Sequence, residues 1–188
     1  MVQTRDWQGM RELSARLLRE RTGEGPEVWM RRIQEAQIAS EEQLRVWLKE
    51  RGVTGYAQSI LRWERFGYPD FLIATADELV DAQYADRPHL RPMYNAIVQA
   101  ALALGDVVIQ ARKTYVSLLT PRRTFARIQA TTKSRVDLGL RLEGFEPAGR
   151  LRPSKIHEST PLQISFTSPD EVDQEAIAWL ERAYDQNR

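Results

Sequence analysis

Residues 113–142 read KTYVSLLTPRRTFARIQATTKSRVDLGLRL, and their period of two decides the fold. Thr114–Leu119, Arg123–Ala130 and Arg135–Leu142 each alternate apolar and polar residues, as strands of a half-buried sheet do. Thr120–Pro121–Arg122 and Thr131–Thr132–Lys133–Ser134 supply the turn residues between them. Connections this short make antiparallel neighbours. Because successive strand residues point to opposite sides, the alternation sorts them into two faces. Val116, Leu118, Ala126, Ile128, Val136, Leu138, Leu140 and Leu142 make one apolar face, with Ile164 and Phe166 joining from further along. Lys113, Tyr115, Ser117, Arg123, Phe125, Arg127, Gln129, Arg135, Asp137 and Arg141 make the other.

Outward from this stretch, Val107–Ala111 and Leu162–Thr167 read as two further strands, with a long loop over residues 143–161. Ser168–Pro169–Asp170–Glu171 has the form of a capping box opening a last helix to about Tyr184, with Val172, Ile177, Trp179 and Leu180 inward. Before the sheet the period is 3.6. Helices are expected over Asp6–Arg21, Pro26–Gln37, Ser40 to Gly52, Thr54–Phe66, Thr75–Tyr84 and His89–Leu104. Ser40–Gln43 is a capping box, Thr54 a cap for the fourth helix, and Gly52 a C-terminal stop. Trp29, Trp47 and Trp63 fall on core positions, while Trp7 suits either a docking contact or a homodimer contact through the first helix. The whole reads as α+β: an N-terminal helical module, then a helix, an antiparallel β-meander of about five strands and a C-terminal helix. The expected divisions are an extension over 1–21, a helical domain over 22–84 and a sheet domain over 86–188.

A formal net charge of +1 hides a segregation. Residues 1–85 carry 12 basic and 14 acidic side chains, residues 86–160 carry 13 and 6, and residues 161–188 carry 2 and 6. Within Arg112–Lys155 there are 11 Lys/Arg and 3 Asp/Glu. Zero cysteines exclude disulfides and thiol chemistry. With no leader-like apolar segment near Met1 and no run long enough to span a bilayer, the expected location is the cytoplasm.

Two resemblances follow from the motifs. Thr22–Gly23, Trp29, Ile33, Trp47–Leu48–Lys49, Gly52 and Gly55–Tyr56–Ala57 resemble a small bacterial helical domain of unknown function. His89–Tyr94, Leu104–Gly105, Lys113–Ser117, Phe125–Ile128 and Arg135–Leu140 resemble a second uncharacterised bacterial family, sometimes labelled "predicted transport protein" and found at the C-terminus of restriction-like proteins. Together the two span about residues 20–187. Neither brings an assigned activity or catalytic residue.

The polar face mixes arginine with aromatic rings, the composition that stacks bases and takes phosphates. The leading expectation is therefore a non-enzymatic binding protein for an anionic partner, nucleic acid foremost. Its site would be Lys113, Tyr115, Arg123, Phe125, Arg127, Arg135 and Arg141, with His157 of the long loop alongside. Two other readings stay open. The face could pack against the protein's own helices or a partner chain. Alternatively, a small anion or nucleotide could bind in a pocket roofed by residues 143–161. Arginine preference alone is no signal, since the chain has 23 Arg and 4 Lys. Leu48–Ile60 has the outline of a helix-hairpin-helix, but its glycines are spaced Gly-x-x-Gly, and a C-cap followed by an N-cap accounts for them more simply. No catalytic motif is present: His89 and His157 have no metal-ligand spacing, and the acid pairs Glu41/Glu42, Asp77/Glu78 and Asp170/Glu171 sit in first helical turns. No enzyme activity, metal or cofactor is expected.

Overall fold

The computed structural model describes residues 2–4 and 7–188, with side chains from residue 9 onward. Trp7 lies in the first helix, and its docking or dimer role falls outside the described side chains. The chain forms two compact units, Arg5–Ala74 and Thr75–Arg188, the second joined by Met1–Thr4.

The helical unit holds α1 (Trp7–Thr22), α2 (Pro26–Glu35), α3 (Glu41–Glu50), α4 (Tyr56–Phe66) and the short α5 (Asp70–Ile73). Leu18, Trp29, Ile33, Leu44, Leu48, Val53, Ile60 and Leu61 form its core. α1 contributes Leu18 to that core and packs on α4, so it is part of the unit rather than an extension before it. The Ser40 capping box forms as expected, both reciprocal bonds being present. α3 ends in a Schellman motif: Val53 N–H reaches Leu48 C=O at 2.9 Å and Gly52 N–H reaches Lys49 C=O at 3.0 Å. Gly52 takes φ +74, and Leu48 and Val53 close the motif in the core. Thr54 does not cap α4. Its hydroxyl and carbonyl instead accept from Arg21, and Gly55 takes the cap position without a side-chain bond.

The sheet unit holds α6 (Ala76–Tyr84), a 3-10 turn (Pro88–Leu90), α7 (Arg91–Leu102) and α8 (Gln174–Asn187). Its strands are β1 (Val2–Thr4), β2 (Val108–Ala111), β3 (Val116–Leu119), β4 (Thr124–Gln129), β5 (Val136–Leu140), β6 (Arg152–His157) and β7 (Thr160–Phe166). They form one sheet in the order β1-β2-β3-β4-β5-β7-β6. Every pair is antiparallel except β1 with β2. The fold is α+β and ends on a helix, with two strands beyond the five read from the sequence. β1 is too short to show a period. Arg-Pro-Ser-Lys-Ile-His does not alternate and so reads as loop, but it forms β6, an edge strand, where a proline is tolerated, and its pairing with β7 is irregular.

The cross-strand register confirms the apolar face. Val116, Ile128, Leu138 and Ile164 form one row and Leu118, Ala126, Leu140 and Leu162 the next, each at most 4% exposed. α6 packs on β2, and α8 on β4 and β5. The start of α8 differs from expectation. Ser168 makes no side-chain cap; the 3-10 turn Pro169–Glu171 intervenes, and Asp173 caps the helix by accepting from Ala176 N–H at 3.0 Å. Glu171 reaches back to Thr167 instead. The buried stripe of α8 is Ala176, Leu180, Ala183, Tyr184 and Asn187, so Ile177 and Trp179 flank the core.

Candidate nucleic-acid interface

Two polar rows cross the face opposite the helices. Register aligns Gln110, Ser117, Arg127, Gly139, Gln163 and Arg152 across six strands. It aligns Gln129, Asp137 and Ser165 in the adjacent row. Gly139 is glycine for a reason of space: a Cβ there would lie 2.8 Å from Thr160 Oγ1 and 3.1 Å from Ile156 Cδ1.

The face is not uniformly basic. Asp137 is 1% exposed and carries a full set of partners. Arg135 Nε lies 3.0 Å from its Oδ1, and Ser165 Oγ donates to the same oxygen at 2.5 Å. A buried carboxylate needs such pairing. In return it fixes where the Arg135 guanidinium sits. Arg127 is different. Its guanidinium lies 4.8 Å from the centroid of the Tyr115 ring, and its buried Nε has no hydrogen-bond partner among the described residues. No carboxylate pairs with Arg127 among the described residues. A half-buried cation held on a ring, without a counter-charge, is a ready acceptor for an anion.

Of the expected site residues, Lys113, Tyr115, Arg127 and Arg135 come together at one end of the face, the end carrying the β2–β3 and β4–β5 turns. Phe125 does not join them, which corrects the expectation of a second stacking ring. β3 and β4 shift register between Leu118 and Leu119, where Leu118 faces Ala126 and Leu119 faces Thr124. Phe125 is the extra residue of this bulge, and a bulge breaks strict alternation and re-aims a side chain. Its ring is fully buried, meeting Tyr184 of α8 edge-on at 5.5 Å. Arg123 and Arg141 lie at the opposite end. Arg123 is 3.5 Å from Glu143, and Arg141 donates to Thr124 C=O at 2.9 Å. His157 ends β6, where its Nδ1 is engaged by Ser159 of the following turn.

The loop over residues 143–151 does not roof this face. Glu143 and Gln186 exchange two bonds of 2.8 Å, Phe145 meets Trp179 edge-on at 5.6 Å, and Arg150 pairs with Asp173 at 2.8 Å. These contacts run from the last to the first turn of α8, so the loop is a strap along that helix.

Two positions that the sequence did not single out hold the turns at the basic end. Gln83 of α6 donates to Arg112 C=O at 2.7 Å and to Tyr115 C=O at 3.4 Å. Arg87 donates to Ala130 C=O at 2.9 Å and Thr132 C=O at 3.2 Å. Asp86 orients Arg87 in turn, and the Arg87 hydrogen bond is the main cause holding the Asp86 carboxyl below its usual range, with Lys133 adding to it. No local pattern announces such bonds, since both partners are more than 28 residues away.

Among the described residues, no cluster of three or more His, Asp or Glu is placed to hold a metal ion. No helix among them is long and apolar enough to cross a membrane. No curated protein matches the chain, and no solved structure does. A profile of a domain of unknown function, DUF5655, matches residues 80–187, from within α6 to the end of α8. That span is more than half of the chain and takes in both the polar face and the two turns above it, and so the chain belongs to the DUF5655 family of domains of unknown function.

Proposed function

We propose that this protein is a non-enzymatic, cytoplasmic binding module for nucleic acid, acting through the turn-bearing end of its polar sheet face. The observation that carries the reading is Arg127: a guanidinium held on the Tyr115 ring with no carboxylate of its own among the described residues. A phosphate is the natural partner of such a group, because the planar guanidinium bonds two phosphate oxygens at once. Tyr115 adds a ring face on which a base can stack. The site is smaller than composition suggested, with Lys113, Tyr115, Arg127 and Arg135 at its centre.

Fluorescence anisotropy with labelled DNA and RNA oligonucleotides at two salt concentrations tests the proposal. Binding should fall with added salt, the slope of log K against log salt being about 0.7–0.9 per phosphate contact. Arg127→Gln should weaken it roughly tenfold, which is about 1.4 kcal/mol. Arg135→Ala is the poorer probe, because it strands the buried Asp137 and confounds binding with stability. Absence of binding at low salt, or binding indifferent to Arg127→Gln, rejects the proposal.

A further inference from the structure

The two turns at the basic end share a design that the proposed function leaves unused. Each contains a four-residue turn whose first N–H reaches the carbonyl of its last residue, Arg112 to Tyr115 at 2.9 Å and Thr132 to Arg135 at 3.5 Å. Each has a lysine followed by a hydroxyl residue at its tip, Lys113–Thr114 and Lys133–Ser134, and all four tip residues are exposed. The chain has 4 lysines against 23 arginines, and two of the four stand at these tips. Neither tip is loose. Gln83 holds the first turn through its carbonyls and Arg87 the second, and Ser134 N–H is taken by Thr132 Oγ1 at 3.2 Å. Exposed lysines with neighbouring hydroxyls are phosphate-contacting groups rather than base readers.

The sheet sets their separation. One tip joins β2 to β3 and the other β4 to β5, so they lie two strand spacings apart, roughly 10 Å. A single phosphate group cannot reach both. We infer that the partner is an extended nucleic-acid strand whose backbone crosses the end of the sheet, contacting the Lys113–Thr114 tip and the Lys133–Ser134 tip at once, with the Arg127–Tyr115 pair behind them. The inference rests on the proposed function and adds its ligand class: a chain of several phosphates, read by charge and spacing, not a mononucleotide. Asp86 is a competing acid beside the second tip, and its exposure leaves water to screen it.

The test uses the full chain and three probes: inorganic phosphate, a mononucleotide and a single-stranded oligonucleotide of about ten nucleotides. Binding should be measurable for the oligonucleotide and at least a hundredfold weaker for the other two. Lys113→Ala and Lys133→Ala should each weaken oligonucleotide binding by about three- to tenfold and lower the salt slope by about 0.7, the value of one single-strand phosphate contact. The double variant should lose both increments. Thermal melting of the Lys133→Ala variant should not move, since its side chain is exposed. Oligonucleotide binding that responds to Arg127→Gln but not to either lysine variant overturns this inference while leaving the proposed function standing. A mononucleotide that binds as tightly as the oligonucleotide overturns it as well. Loss of all binding at low salt removes the proposed function itself.

Discussion

The two sides of the sheet draw on the same basic stretch of sequence and use its cations in opposite ways. At the far end of the sheet and along α8, Arg123, Arg141 and Arg150 reach the protein's own acceptors: Glu143, the Thr124 carbonyl, and Asp173 with the Glu171 carbonyl. On the polar side, Arg127 rests on a tyrosine ring, and Lys113 and Lys133 stand at the tips of two braced turns. Residue type is therefore no guide to role here. What separates a structural arginine from a binding one is whether the fold supplies an acceptor within reach.

Phe125 gives the sharpest test of which side a residue serves. Buried against Tyr184, it belongs to the helix-covered side, and Phe125→Ala should cost about 3–5 kcal/mol of stability, read as a lower urea midpoint. If the variant instead keeps its stability and loses oligonucleotide binding, the division between the sides drawn here fails.

That residue also marks the limit of what the sequence shows. Helix positions, the Ser40 capping box and most of the two-face sorting are local facts, carried by periods of 3.6 and 2 and by cap residues. They were legible. The bulge at Phe125 depends on how β3 and β4 slide past each other, and nothing in either strand alone records it. The same holds for β6. There, Gln163 Oε1 accepts from the Lys155 N–H at 2.8 Å where the ladder with β7 is irregular. The Gln83 and Arg87 braces escape notice for the same reason. Tyr115 and Arg127 were legible because strict alternation holds up to their row and the register needs no slip there.

Gly139 tests the polar side. A Cβ at this position would press on Thr160 and Ile156, and Gly139→Ala should cost about 1–3 kcal/mol as the β6–β7 hairpin shifts to accommodate it. Gly139 is the cross-strand neighbour of Arg127, so this variant should also weaken oligonucleotide binding, which Phe125→Ala should spare under conditions where it remains folded.

The arginines themselves then make a paired comparison. Arg150→Ala removes an ion pair with Asp173 and the donor to a part-buried carbonyl of Glu171, and should lower stability by about 1–2 kcal/mol with binding unchanged. Arg127→Gln should do the reverse. If both variants lose stability alike, Arg127 is a structural arginine and its ring contact is only packing.

The smallest expected effect is on pH, and it falls on the helix-covered side. The Asp173 carboxyl is held below its usual range chiefly by the Ala176 N–H it accepts, with Arg150 contributing, and the Glu171 carboxyl chiefly by the Thr167 N–H. A carboxyl whose folded pKa lies below its unfolded one stabilises the fold above the unfolded value, about 3.9 for Asp and 4.3 for Glu, and that contribution fades as the pH falls through the folded value. Melting temperature should thus decline as the pH is taken down through the acid range below about 4. Asp173→Asn keeps a capping side chain while removing the titrating group, and should flatten that decline. Among the described residues Arg127 has no carboxylate partner to protonate, so the salt dependence of oligonucleotide binding should keep its slope over any part of this range in which the chain stays folded. A binding slope that collapses together with the melting temperature while the protein is still folded would tie the two sides to one set of charges, against the separation that the hydrogen bonds describe.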